Sequence, residues 1–194
     1  MEKIELKPAS VFHYFEEICQ VPRPSKKEEK IIAYLMDFAE KHGLKNKKDE
    51  AGNILIKKPA TPGKENLKTV ILQSPIDIVC EKKSDPNHDF LNDPIETYID
   101  GEWLKAKGTT LGADNGIGMA AQLAVLAAND IEHGPIECLF TVDEETGLTG
   151  AFALKEGFMD GDILINLDSE DEGELFIGCA GGANTTAEFA YEEI

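Results

Sequence analysis

Gly-Thr-Thr-Leu-Gly-Ala-Asp-Asn-Gly-Ile-Gly-Met, residues 108–119, sets one acid, Asp114, among small residues just ahead of the apolar run Ile117 to Ala128. That run is apolar on most sides, which describes a buried helix. The stretch before it has two readings. As a local turn it caps the helix, because Asp and Asn bond their own backbone and Gly tolerates positive φ. As chemistry it is a ligand loop: small neighbours let an ion and a substrate come close, and the carboxylate supplies hard oxygens.

Helical periodicity recurs upstream. Ser10 reads as the N-cap of a first helix with Val11, Phe12, Phe15 and Ile18 on one face, ended by Val21-Pro-Arg-Pro. Ser25 and Glu28 have capping-box spacing, and Ile31, Ile32, Leu35, Phe38 and Ala39 repeat at helical intervals until Gly43 supplies the C′ residue. Short apolar runs read as strands: Asn53-Ile-Leu-Ile, Val70-Ile-Leu-Gln, the alternating segment around Trp103, Ile136 to Val142, Ile163-Leu-Ile-Asn-Leu and Glu174-Leu-Phe-Ile-Gly. Residues 81–96 form a polar loop, and a helix is expected near Ala151 to Phe158. Helices interleaved with short apolar strands predict an α/β layered sheet covered on both faces. The last stretch, Ala183 to Ile194, reads as a further strand without a partner or turn, as if the chain were cut there.

Composition excludes several function classes. With 194 residues, 42% hydrophobic and 29% charged, the chain suits one soluble domain with a real core. No long uncharged apolar segment and no apolar leader is present, which predicts a cytoplasmic protein with no membrane association. A formal net charge of −18 without a basic stripe repels phosphate backbones, so no nucleic-acid partner is expected. Cys19, Cys80, Cys138 and Cys179 lie in apolar segments without CxxC spacing and read as reduced core residues.

Further acids sit where Asp114 sits, at the ends of expected elements. Asp77 follows the strand at Val70, Glu144 and Glu145 follow the strand at Ile136, and Asp168 follows the strand at Ile163. Open α/β sheets hold ligands beyond the carboxyl ends of their strands, so these acids are expected to share one crevice. Each alone is a turn, a cap or a solvated edge. Together they would repel one another unless a cation or shared protons neutralised them, which favours a metal site. Neighbouring glutamates on an extended segment point different ways, so one can ligate a metal while the other handles a proton.

Leu72-Gln-Ser-Pro-Ile-Asp-Ile-Val, the 108–118 loop, Glu144-Glu-Thr-Gly, Asn166-Leu-Asp-Ser-Glu-Asp-Glu-Gly-Glu and Cys179-Ala-Gly-Gly resemble, in this order, the dipeptidase branch of the M20 metallopeptidases. The resemblance implies a three-layer α/β/α zinc-exopeptidase-like sheet, with residues 1–182 as the N-terminal part of the catalytic domain and 183–194 as the start of a lid domain. It implies two zinc ions bridged by Asp114, with a cis peptide between Asp114 and Asn115, Glu145 on one ion and Asp168 on the other. Glu144 then falls on the general base, and Asp77 on the acid that orients a ligand histidine. The implied reaction is hydrolysis of Xaa-His and other dipeptides by a metal-bridged hydroxide. A related M20 deacylase or aminopeptidase shares these motifs.

The pattern breaks at Pro75, which stands where the ligand histidine is expected. A second ligand histidine belongs to a part of the family's sequence that follows the lid. The carboxylates that remain favour Mn²⁺, Mg²⁺ or Ca²⁺ over zinc, and bind weakly. His13, His42, His88 and His133 match no motif position and read as surface or turn residues. The isolated chain is therefore expected to be inactive, and the competing reading is a non-catalytic fragment that binds a peptide or a protein. An unpaired sheet edge predicts self-association or poor solubility.

Overall fold

A computed structural model describes residues 6–84, 87–169, 171, 173–179, 181–183 and 185–191. Among them the elements run α1 (Ala9–Cys19), α2 (Glu29–Lys41), β1 (Lys45–Lys48), β2 (Ile54–Lys58), β3 (Val70–Pro75), β4 (Thr97–Asp100), β5 (Trp103–Ala106), α3 (Ala113–Ala127), β6 (Ile136–Thr141), α4 (Thr149–Ala153) and β7 (Ile163–Asn166). Five strands form one mixed sheet in the order β1-β2-β6-β3-β7, and β4 with β5 makes a separate hairpin. β2 is antiparallel to both β1 and β6, whereas β6, β3 and β7 run parallel. The chain therefore leaves β6, β3 and β7 at the same edge of the sheet, which is where the acids follow.

The pleat sorts side chains between two faces. Ile54 and Ile56 of β2 and Cys138 and Phe140 of β6 join Phe15, Ile18, Leu35, Phe38, Met119 and Leu123 of α1, α2 and α3 in the main core. Leu55, Ile71 and Leu139 point to the other face and meet Leu154, Phe158 and Met159. Each such buried aliphatic side chain contributes about 1.5–3 kcal/mol through removal from water. The α/β sheet expected from the sequence is present, but its cover is unequal: three long helices lie on one face and the short α4 with residues 154–159 on the other. At the edge, Ile163, Leu164 and Ile165 of β7 remain exposed.

Local signals explain the element ends. Gly43 (φ +65°) accommodates the left-handed turn that stops α2, with Leu44 N–H donating to the Ala39 carbonyl at 2.9 Å. The buried Lys58 ammonium donates to the Val125 (2.8 Å), Leu126 (3.0 Å) and Ala128 carbonyls, which ties β2 to the C-terminus of α3.

Several expectations fail for identifiable reasons. Ser10 is not the first N-cap, because α1 already begins at Ala9 with the Pro8 carbonyl accepting from Val11 (3.1 Å) and Phe12 (3.2 Å). The helix expected over 151–158 is only α4, which ends at Ala153 as Leu154 turns extended. Glu174 to Gly178 forms no strand: Leu175, Phe176 and Ile177 are exposed, and no described strand lies beyond β7 to pair with them. The described residues of 183–191 form no strand either, while Asn184 and residues 192–194 lie outside the described set. Cys19 and Cys138 are buried and Cys80 is half-buried, as core thiols should be, but Cys179 is exposed. No described helix is long and apolar enough to cross a membrane.

Candidate functional site

Parallel strands deliver the acids to one edge. Asp77 follows β3, Asp143, Glu144 and Glu145 follow β6, and Asp168 follows β7. Asp114 arrives from the first turn of α3, where Asp114 (φ −84°, ψ 109°) and Asn115 (φ −110°, ψ 44°) leave helical values and share a cis peptide. The break leaves the Asp114 side chain exposed and buries Asn115. Asn115 then works as a clip, donating from Nδ2 to the Leu167 carbonyl (2.9 Å) while its Oδ1 accepts from Gly118 N–H (3.0 Å). The start of α3 is thereby joined to the segment that carries Asp168.

All five acids named from the sequence come together, and their charges interact. Burial, followed by the charges of Glu144, Asp114, Asp77 and Asp168, pushes the Glu145 carboxyl up to about 7. Burial and then the charges of Asp114 and Glu144 push Asp168 up to about 6. Glu144 is also raised, by burial and then by Asp77 and Asp114.

Asp77 is fully buried and surrounded by donors. Its Oδ1 accepts from Glu144 N–H (3.0 Å), and its Oδ2 accepts from Glu145 N–H (3.2 Å) and the Ser25 hydroxyl (2.8 Å). One carboxylate thus fixes the backbone from which both glutamates project. The pair does not lie on an extended segment, as expected from the sequence, but opens a turn in which Gly147 and Leu148 N–H donate to the Glu144 carbonyl at 3.2 and 3.1 Å.

The tightest group of carboxylates among the described residues is a different one. Glu28, Asp77 and Asp143 have oxygens within 4.8 Å of one another. Glu28 Oε1 accepts from the N–H groups of Lys26 (2.8 Å) and Asp143 (3.1 Å), and Asp143 accepts the hydroxyls of Thr146 and Thr149, both at 2.5 Å. Burial raises Glu28. Burial would raise Asp143 too, but the two hydroxyls outweigh it and hold this carboxyl below its ordinary value. Protein donors fill most of the accepting positions of this inner triad, so it braces the loop rather than offering open ligand oxygens. The bracing also explains why the capping box fails: α2 has no side-chain N-cap bond because Ser25 bonds Asp77 and Glu28 bonds the loop after β6.

Sequence reading missed Glu28 and Asp143 as braces, Asn115 as a clip, and Arg23. Arg23 is buried and donates to the carbonyls of Ile76 (3.1 Å), Asp77 (2.9 Å) and Gly112 (2.6 Å). The flanking prolines restrict the Arg23 backbone to extended values, but nothing local signals partners 53 to 89 residues away.

The donor chemistry is all oxygen. Pro75, two residues before Asp77, is buried at the end of β3 opposite Thr141 and has no ligand nitrogen. His88, expected on the surface, is half-buried with its ring 4.5 Å from that of Phe90, because the polar loop folds back on itself. Gathered carboxylates, with Glu145 lifted to about 7 and Asp168 to about 6 by burial and then by one another's charge, fit a hard divalent cation, and they do not supply the imidazoles of a complete zinc site.

Without a cation, the cluster should make stability fall as pH rises. Glu145 and Asp168 are raised to about 7 and about 6, so between their unfolded values near 4 and these folded values the native state binds more protons than the unfolded state. Their contribution is complete below about pH 4 and lost on passing through pH 6 to 7. EDTA-treated protein should therefore melt at a lower temperature at pH 8 than at pH 5, and Glu145→Gln should flatten the profile. A melting temperature unchanged over that range would refute the coupling.

No protein-family model matches the chain. It is 52% identical over 186 residues, 96% of its length, to the cytosol non-specific dipeptidase of Escherichia coli K12, of which it covers 38%. Its fold superposes on aminoacylhistidine dipeptidase from Vibrio alginolyticus with a TM-score of 0.85 at 58% identity, covering 87% of this chain and 34% of that one. Aminopeptidase PepT from Bacillus cereus superposes with a TM-score of 0.71 at 27% identity, covering 84% of this chain and 43% of the other. The chain thus spans well under half the length of these proteins. In sequence and in fold it is a relative of the M20-type dipeptidases, similar over nearly all of its residues to 38% of the Escherichia coli enzyme.

Proposed function

We propose that the acids at the ends of β3, β6 and β7 form the carboxylate part of a metallodipeptidase centre. Asp114, Glu145 and Asp168 would hold the divalent cations through their carboxylate oxygens. Glu144 is the general base, and Asp77 holds the backbone of both glutamates. The observation that carries this reading is that β3, β6 and β7 deliver their acids to one edge beside Asp114, where burial and then the neighbouring charges lift Glu145 to about 7 and Asp168 to about 6, and a bound cation offsets that repulsion. A divalent cation, when bound, polarises a peptide carbonyl and acidifies water. Glu144, raised above the ordinary carboxylate range, is suited to take a proton from the attacking water and return it to the leaving amine. The Asp77 bonds to two successive N–H groups keep that carboxylate from swinging away.

The kinship with dipeptidases supports a dipeptide as the substrate class and the cytoplasm as the location. Residues 1–182 are read as part of a catalytic domain, and 183–194 as the beginning of a lid. With Pro75 in place of an imidazole, the oxygen set favours Mn²⁺, Mg²⁺ or Ca²⁺ over zinc. The exposed edge strand β7 is the surface through which copies of the chain are expected to associate. Pro75 also favours a second reading, in which the chain binds a cation or a peptide without hydrolysing it.

EDTA-treated protein titrated with MnCl₂ tests both readings. We expect weak, saturable binding that drops about tenfold or more in Asp114→Asn, and no hydrolysis of an Xaa-His dipeptide by the isolated chain. Absence of Mn²⁺ binding would refute the centre. Metal-dependent hydrolysis that disappears in Glu144→Gln would instead show that this chain is competent alone.

A further inference from the structure

Arg23 lies behind the acid cluster and none of the chemistry above uses it. Its fork spans two elements: Nη1 bonds the carbonyls of Ile76 and Asp77 as the chain leaves β3, and Nη2 bonds the carbonyl of Gly112, two residues before Asp114. Its own carbonyl accepts from Ile78 N–H (3.2 Å), so backbone and side chain hold the same strand end. All three of its hydrogen bonds go to backbone carbonyls.

The surrounding sequence is cut to fit it. A Cβ on Gly112 would lie 2.8 Å from Nη2, and one on Gly116 would lie 2.5 Å from Nη2 and 3.1 Å from the Phe15 ring. Gly112 also has φ +70°, which a side chain rarely adopts. The guanidinium, with Ile78 Cγ2 at 2.9 Å from the same point at Gly112 and the Phe15 ring at Gly116, leaves no room for a side chain at either glycine. Lysine, a single point charge on a flexible stem, has no planar fork with which to hold three carbonyls in fixed relation.

We propose that Arg23 is a positioning residue: its fork fixes the separation between the Asp77-held Glu144–Glu145 segment and Asp114, and so sets the cation affinity of the cluster. This rests on the reading of that cluster as a cation site. The arrangement differs from a general brace because Arg23 joins the two arms that carry the ligands and touches no ligand oxygen itself.

The test is Mn²⁺ binding to the full chain, read from the loss of the free-ion EPR signal at a temperature where circular dichroism shows each protein folded. Arg23→Lys is expected to bind about tenfold or more weakly than wild type, the range seen when partners outside a metal's own ligands are removed. Gly116→Ala, which keeps Arg23 but presses on its guanidinium, is expected to weaken binding in the same direction, and it decides the matter if Arg23→Lys does not fold. Wild-type affinity in the folded variants, with only a lower melting temperature, would overturn the proposal, because a merely structural arginine moves stability and not affinity. A wild-type chain that binds no Mn²⁺ overturns the cation reading first, and the positioning role falls with it.

Discussion

Asp77→Ala should destabilise the fold by about 3–5 kcal/mol, the range found when one partner of a buried charged group is removed. The side chain is fully buried and accepts three hydrogen bonds, from Glu144 N–H, Glu145 N–H and the Ser25 hydroxyl. Hydrogen bonds to a charged acceptor each contribute about 1.5–3 kcal/mol, and truncation leaves donors without partners in the interior. For a domain with roughly 5–15 kcal/mol of net stability, such a loss takes a large share. Asp77→Asn should recover little, since its amide offers one acceptor and turns an NH₂ group toward donors. Asp114→Ala should cost far less, because its side chain is exposed. Urea unfolding with the m-value monitored measures all three. A loss below about 1 kcal/mol for Asp77→Ala would show that the loop after β6 is held by other contacts.

The contrast between Asp77 and Asp114 marks what could be seen in the sequence. Small residues around an acid, followed by an apolar helix, located Asp114 and α3, and strand-like runs ending in acids located the rest of the cluster. Local pattern carries that information, since parallel strands bring their following residues to one edge. Long-range bonding is not written locally. Ser25 and Glu28 have the spacing of a capping box, but their side chains bond Asp77 and the loop after β6, because buried groups there outcompete an exposed helix end. Arg23 likewise reads as an unremarkable residue between prolines until the carbonyls of Ile76, Asp77 and Gly112 are brought around it. The hairpin of β4 and β5 is half legible: the alternation around Trp103 gives its second strand, whereas the first, Thr97–Asp100, becomes a strand only once Gly101 (φ +61°) turns the chain back on it. Glu174 to Gly178 shows the opposite error. Its apolar residues satisfy strand propensity, yet propensity without a neighbour to complete the ladder makes no strand.

Pro75→His should raise zinc affinity by at least about tenfold and shift preference from Mn²⁺ toward zinc. The present donors are carboxylates, which suit hard cations, and an imidazole supplies the softer ligand that zinc takes in its three-ligand catalytic sites. Position 75 closes β3 beside Thr141, at the edge from which Asp77 and the glutamates project. A histidine there also needs a partner for its second ring nitrogen. Asp77 has room to be that partner: a carboxylate has about four accepting positions, and two bonds fall on Oδ2 but only one on Oδ1. The substitution also returns a backbone N–H that proline lacks, so Pro75→Ala is the proper reference for the backbone effect alone. Competition with a chromophoric zinc indicator compares the three proteins. If Pro75→His binds zinc no better than Pro75→Ala, the edge formed by Asp77, Asp114, Glu145 and Asp168 is not arranged around a metal. If it binds more tightly and the gain vanishes in Asp114→Asn, position 75 faces the carboxylate cluster and an imidazole there joins its oxygens as a zinc ligand.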